Sequence, residues 1–178
     1  GVLPEYDGWS KFEQATLSFG YHLSMSVLQL ARSYTALADD GILHSVSLLK
    51  REKDEYGVRV LSAKTAKSVR KMIEKVVHKD GTAYQARIDG YRVAGKTGTV
   101  KKANKGGYGS EYLSIFVGMA PASNPELVIA VLVDTPQAGQ YYGGQVAAPI
   151  FSKVMAGALR VLNIAPDEEK TMSVLLKK

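Results

Sequence analysis

Cysteine is absent from this 178-residue chain. That removes disulfides, thiolate nucleophiles and cysteine-based zinc sites, although it does not separate one redox compartment from another. Histidine is scarce. His22, His44 and His78 stand apart, without the His-Glu-x-x-His spacing of a helical zinc site, so no metal is expected and nothing asks for a cofactor. No apolar run approaches the roughly 18 residues of a membrane span, and no stretch reads as a signal peptide. There is no internal repeat and no low-complexity segment. A methionine is missing from the start, Gly1-Val2-Leu3-Pro4, which reads as a cut or processed piece of a longer chain.

What is present is ordinary globular material. The chain is 46% hydrophobic and 22% charged, enough for one domain with a real core or for part of a larger one. Its formal charge of +6 does not imply nucleic acid. The excess sits in one lysine-rich stretch (Lys101, Lys102, Lys105) and at the end (Lys177, Lys178), with no basic stripe interleaved with aromatics.

Periodicity predicts the elements. Val27, Leu30, Ala31, Tyr34, Leu37 and Ala38 share a helical face that ends at Gly41. Ile42 to Leu49 reads as a strand and Arg51 to Gly57 as a charged turn. A second helix puts Ala66, Val69, Met72, Ile73, Val76 and Val77 inside, with Arg70, Lys71 and Glu74 outside. After the Asp89-Gly90 turn come three strands, 91–100, 112–120 and 127–134, expected adjacent in that order. Leu127 to Val133 is almost continuously apolar and so is placed centrally. Lys101 to Ser110 reads as a mobile loop. A closing helix runs from Ala147 to Asn163 with Pro149 in its first turn. The fold class is α+β: an antiparallel sheet with helices packed on its faces.

One stretch carries chemistry. "VAGKTGTV" places Lys96, Thr97, Gly98 and Thr99 in a row on a predicted strand. A lysine followed by hydroxyls makes a receptor for a carboxylate, and a glycine lets a ligand approach the backbone. A neighbouring N–H can then donate to a developing oxyanion. Alternation puts Lys96 and Thr97 on opposite faces, so they serve one site only if the ligand lies along the strand's edge. The plain alternative is a surface strand with a bulge at Gly98.

Lys96-Thr97-Gly98-Thr99 resembles the third motif of the penicillin-recognising serine acyltransferases, whose set is Ser-x-x-Lys, Ser-x-Asn and Lys-Thr/Ser-Gly. Three more blocks agree: "FGYHLSMSVLQLARSYTALADDG", "IDGYRVAGKTGT", and "FVGMAPASNPELVIAVLVDTPQAGQYYGGQVAAPIFSKVMAGALRVLNI". They are similar to the class B penicillin-binding proteins of the septal, cell-division type (penicillin-binding protein 3 type). Two departures, His22 for the usual glycine and Ser26-Val27 for Thr-Pro, fall in what reads as the first helix.

The resemblance implies that residues 1–166 are the C-terminal portion of a transpeptidase domain and 167–178 a tail. By the same resemblance Lys96 and Thr99 are catalytic. Lys96 orients the proton relay, and the Thr99 N–H completes an oxyanion hole. Thr97 and Thr99 bind the carboxylate of a D-Ala-D-Ala stem peptide or a β-lactam, and Gly98 belongs to the same substrate-binding strand. Tyr112, Tyr141, Tyr142, Gly143 and Gly144 flank the cleft. A glycine turn (for Tyr141 to Gly144) and sheet packing (for Tyr112) remain the plain alternatives. The nucleophile is expected upstream. Ser47-Leu48-Leu49-Lys50 and Ser68-Val69-Arg70-Lys71 have the spacing but not the setting, and no Ser-x-Asn occurs. The remainder of the transpeptidase domain and division-complex membrane proteins are the implied partners, and the periplasmic face of the bacterial inner membrane is the implied location. A β-lactamase or β-lactam sensor, and a non-catalytic division scaffold, are the competing readings.

Overall fold

The computed structural model describes residues 1–3, 8–49, 57–104 and 107–168. In chain order the elements are α1 (Lys11–Leu17), α2 (Val27–Ala38), β1 (Ile42–Leu43), β2 (Val58–Arg59), α3 (Ala63–Glu74), β3 (Ala94–Asn104), β4 (Gly107–Ala120), β5 (Leu127–Asp134) and α4 (Gly143–Val161). Single 3₁₀ turns follow α3 at Lys75–Val77 and precede β3 at Tyr84–Ala86. Three helices begin on serine caps: Ser10, Ser26 and Ser62 each accept from a first-turn N–H, and Glu13 and Gln29 close capping boxes. No helix among the described residues is long and apolar enough to cross a membrane.

The main sheet is antiparallel in the order β3-β4-β5, and β1 pairs with β2 separately. Alternation along β4 divides the core as the pattern predicts. Phe116 points toward α4 and joins fully buried Phe151, Met155 and Leu159; its ring meets Phe151 edge-on at 4.8 Å. Met119 points the other way, onto Tyr34 and Leu37 of α2 and Ile73 of α3. After α4 the chain returns to the body. Asp167 accepts from the N–H groups of Arg92 and Ser123, and the Glu168 N–H donates to the Gly90 carbonyl.

Several expectations are corrected. β5 lies at an edge among the described strands, with β4 central. Its apolar run reflects cover from α2 on one face and α4 on the other, not a central place in the ladder. The expected 42–49 strand stops at Leu43, because the Arg32 side chain takes the His44 carbonyl and His44 itself bonds Asp39. The turn expected at Arg51 to Gly57 lies, but for Gly57, outside the described residues. The stretch read as a loop from Lys101 is a hairpin arm instead. β3 and β4 stay paired out to Asn104 and Gly107, after a register shift between Lys101 and Ala103.

On α3 the expected faces are partly exchanged. Met72 is 65% exposed, whereas the Arg70 side chain is buried and donates to the carbonyls of Leu37 and Ala38. It thereby satisfies the C-terminal end of α2, where a cation is favoured. α4 starts at Gly143, four residues earlier than read, so Pro149 is its seventh residue and not in the first turn. His22 and Ser26 precede α2 rather than lie in it, and His22 adopts φ +64°, a conformation glycine takes easily.

Candidate active site

β3 is an edge strand among the described residues, and its ladder with β4 is regular through the motif: Lys96 faces Val117, Thr97 Phe116, Gly98 Ile115 and Thr99 Ser114. The bulge that a plain strand would have needed at Gly98 is therefore not there. Thr97 and Thr99 share the α4 side of the sheet with Phe116 and Ser114, and Lys96 lies on the opposite side. The lysine is exposed and its Nζ turns back over the strand edge to the Thr97 carbonyl at 3.0 Å. No ion pair to Lys96 forms among the described residues, so its charge is available to a ligand.

Gly98 has ordinary backbone angles, and a Cβ added there would meet only the Ile115 side chain, at 3.4 Å. Folding does not require glycine at this position. A glycine here leaves the backbone of the strand open to approach.

The N-terminus of α4 abuts this edge. The Gly143 N–H donates to Thr99 Oγ1 at 3.1 Å, a helix-end donor satisfied by a hydroxyl from the sheet. Contact this close depends on two glycines. A Cβ on Gly143 would lie 2.2 Å from the Ile115 carbonyl oxygen, and one on Gly144 would lie 1.9 Å from that of Thr82. Both are buried, so what the structure shows for them is a seat for the helix. Thr82 also brings its hydroxyl to 3.2 Å from that of Thr97.

Three tyrosines extend the face beyond Thr99. Tyr112 stacks on Tyr141 with ring centroids 4.2 Å apart, and Tyr141 meets Tyr142 at 4.5 Å. The Tyr142 hydroxyl beside it raises the Tyr141 phenol above its ordinary pKa. Lys101 Nζ sits 5.9 Å from the Tyr112 ring centre. A cleft of about 500 Å³ opens beside the stack, lined by Tyr112, Tyr141, Glu111, Thr135 and Gln137 among others. At its rim Lys102 reaches Asp134, Thr135 and Glu111. The hydrogen bond from Thr135, then that from Lys102, holds the Asp134 carboxyl below the usual range.

Lys96, Thr97, Gly98, Thr99, Tyr112, Tyr141, Tyr142, Gly143 and Gly144 thus lie on two strands and one helix start. Neither Ser47 nor Ser68 joins them as a helix-start serine. Ser47 is exposed outside any strand and bonds Leu49, and Ser68 is exposed in the middle of α3. Two neighbours escaped the sequence reading, Thr82 and Ser114. The available signal for Ser114 was a lone hydroxyl between Tyr112 and Phe116 on a face otherwise built of rings. Thr82 gave none, because it is brought to Thr97 from a turn.

Residues 1–156 match the penicillin binding protein transpeptidase domain. The chain is 43% identical to a probable peptidoglycan D,D-transpeptidase PenA of Neisseria flavescens over 99% of its length and 44% of that protein. It is 43% identical to the peptidoglycan D,D-transpeptidase FtsI of Escherichia coli K12 over 94% of its length and 29% of that protein. Among solved structures it is similar to the apo transpeptidase domain of penicillin-binding protein 3 from Burkholderia pseudomallei, with 47% identity and a TM-score of 0.89. That match covers 94% of this chain and 52% of the solved one, so the chain spans about half of that domain structure and less than half of these two curated relatives. With a family match over most of its length and an α+β fold shared with a solved member, the chain belongs to the penicillin binding protein transpeptidase family.

Proposed function

We propose that this chain forms one wall of the active site of a peptidoglycan D,D-transpeptidase that cross-links stem peptides at the division septum and is acylated by β-lactams. The reaction is serine acylation by a D-Ala-D-Ala terminus followed by transfer to an amine, with the nucleophile outside this chain. Lys96 orients the proton relay and adds positive potential. Thr97 and Thr99 hold the carboxylate, and the Thr99 N–H shares the oxyanion hole with the nucleophile's own N–H. Tyr112, Tyr141 and Tyr142 line the cleft, and Gly143 and Gly144 bring the helix to it. Residues 1–166 act as the C-terminal portion of the domain. The rest of that domain is the first partner, division-complex membrane proteins are further ones, and the periplasmic face of the inner membrane is the workplace.

The observation that carries this reading is the convergence on one strand edge of a lysine with no ion-pair partner among the described residues, two hydroxyls and the positive end of a 19-residue helix. All three favour an anion. Thr99→Val in the intact transpeptidase keeps the backbone N–H and the volume but removes a hydroxyl donor. A charge-assisted hydrogen bond is worth about 1.5–3 kcal/mol, so acylation by penicillin (kinact/Ki) is expected to fall about 10- to 150-fold. Unchanged acylation with a lowered melting temperature would make Thr99 a structural strand residue. A second test uses the chain by itself with a labelled penicillin. No covalent adduct is expected, and one on Ser47 or Ser68 would overturn the placement of the nucleophile.

A further inference from the structure

We infer that Ser114, a fully buried hydroxyl one strand behind the motif, is a positioning residue that aims the Thr99 hydroxyl at the substrate carboxylate. Ser114 is the register partner of Thr99 across the β3–β4 ladder, on the same face. It has 0% exposure and donates from Oγ to the Tyr141 carbonyl at 2.5 Å. Two residues later the Gly143 N–H donates to Thr99 Oγ1 at 3.1 Å. The segment 141–143 is therefore fastened to two neighbouring strands by bonds of opposite sense, one accepted at its carbonyl and one given by its amide.

The consequence for Thr99 follows from what a hydroxyl can do. It has one proton to donate and two lone pairs to accept with. The Gly143 amide occupies one lone pair, and no other partner of Thr99 Oγ1 occurs among the described residues. The proton is thus left to point away from the helix, where an incoming acceptor can take it. Without the amide the hydroxyl turns freely and can present a lone pair to the carboxylate as readily as a proton. Two lone pairs facing each other repel. Ser114 matters because the amide's position depends on where Tyr141 and Tyr142 are held. Tyr142, the N-cap of α4, makes no side-chain cap bond of its own.

A packing role alone would put an apolar side chain at this site, since burying a hydroxyl costs free energy unless it is bonded. The surroundings favour an apolar group too. Tyr112 and Phe116 flank it on its own face of β4, and the Tyr141 ring stacks on Tyr112.

The inference rests on the reading that Thr99 binds a carboxylate, and the test separates the two. Benzylpenicillin and its methyl ester differ in that carboxylate, and the ratio of their acylation rates (kinact/Ki) in the intact transpeptidase measures how well it is recognised. Thr99→Val is expected to cut the acid-over-ester preference about 10- to 150-fold, the equivalent of one charge-assisted hydrogen bond. Ser114→Ala is expected to cut the same preference about 2- to 12-fold, the equivalent of one neutral bond. Ser114→Cys keeps the shape with a weaker donor and should fall between wild type and Ser114→Ala. It also supplies the measurement if Ser114→Ala does not fold. If Thr99→Val lowers the preference while the Ser114 variants slow acid and ester equally, Ser114 serves packing alone and the inference fails. If Thr99→Val leaves the preference unchanged, the carboxylate reading fails and the inference falls with it.

Discussion

The two faces of the β3–β4–β5 sheet are built to different standards. Under α4, Phe116, Phe151, Met155 and Leu159 are fully buried and interlock with Val77, Ala86, Ile88 and Val93. On the other side the buried cluster is only Ala94, Met119 and Ala122, capped by α2 and α3. α1 buries nothing, and Phe12 and Phe19 are 73% and 67% exposed, with Leu28 of α2 at 58%. The α4 face holds the larger core and the candidate site, whereas α1, α2 and the segment between them carry large apolar side chains that stay mostly exposed. Single exposed apolar residues are ordinary, but several large ones on neighbouring elements mark an interface. We propose the rest of the transpeptidase domain as the partner there, in keeping with a chain that covers 52% of a solved transpeptidase domain.

The largest expected effect breaks the α4 face. Phe151→Ala empties a fully buried site against Phe116 and should cost about 3–5 kcal/mol in urea unfolding of the isolated chain. The matching change on the α1–α2 side, Phe12→Ser, sharpens the contrast. It should leave the unfolding of the isolated chain unchanged while weakening its association with the remainder of the domain. Equal losses in the isolated chain would mean that the two faces do not differ.

Glycines give a finer version of the same comparison. Gly143→Ala forces a methyl to within 2.2 Å of the Ile115 carbonyl, so α4 must shift from the strand. Overpacking of that kind costs about 1–3 kcal/mol, and acylation by penicillin should fall together with the melting temperature. Gly98→Ala meets only a side chain at 3.4 Å, so the melting temperature should hold while acylation falls. If Gly98→Ala destabilises as much as Gly143→Ala, the ligand-approach reading of Gly98 is wrong.

Part of the acid sensitivity should come from the α2–α3 side. Lys67 first, then the charge of Arg70, holds the Asp40 carboxyl below its ordinary pKa. A carboxylate lowered on folding adds stability above the unfolded value of about 3.9 and loses it as pH falls through the folded value. The midpoint of urea unfolding should therefore drop on acidification below about pH 4, and Asp40→Asn should flatten that limb. An unchanged acid limb in Asp40→Asn would move the effect elsewhere. The smallest effect belongs to His22. Its left-handed backbone costs a side-chain-bearing residue about 1–2 kcal/mol, of which the extra freedom of glycine when unfolded cancels about 0.5–1 kcal/mol. His22→Gly should raise the melting temperature slightly, and a decrease would show that the histidine has a partner worth more than the strain.

Local pattern determined a good deal of this protein. The faces of β4 follow from period two, the adjacency of β4 and β5 from a connection too short to cross over, and α2 and α4 from apolar spacing. Lys96 to Thr99 stood out because a cation, hydroxyls and a glycine on one strand conflict with plain sheet packing. What local pattern misread depends on partners far along the chain. Arg70 reads as a surface residue until the carbonyl ends of α2 arrive 32 and 33 residues away to accept from it. β5 reads as central because cover by helices on both faces leaves the same apolar signature whether or not a second strand pairs with it. Lys101 onward reads as loop because glycine and lysine predict little burial, yet a ladder needs only backbone partners. The site's working geometry is of the same kind. Only the fold brings the Gly143 amide to Thr99, Thr82 to Thr97 and Tyr141 to Ser114, since hydrogen bonds and close backbone contacts between distant segments leave no period in the sequence to be read.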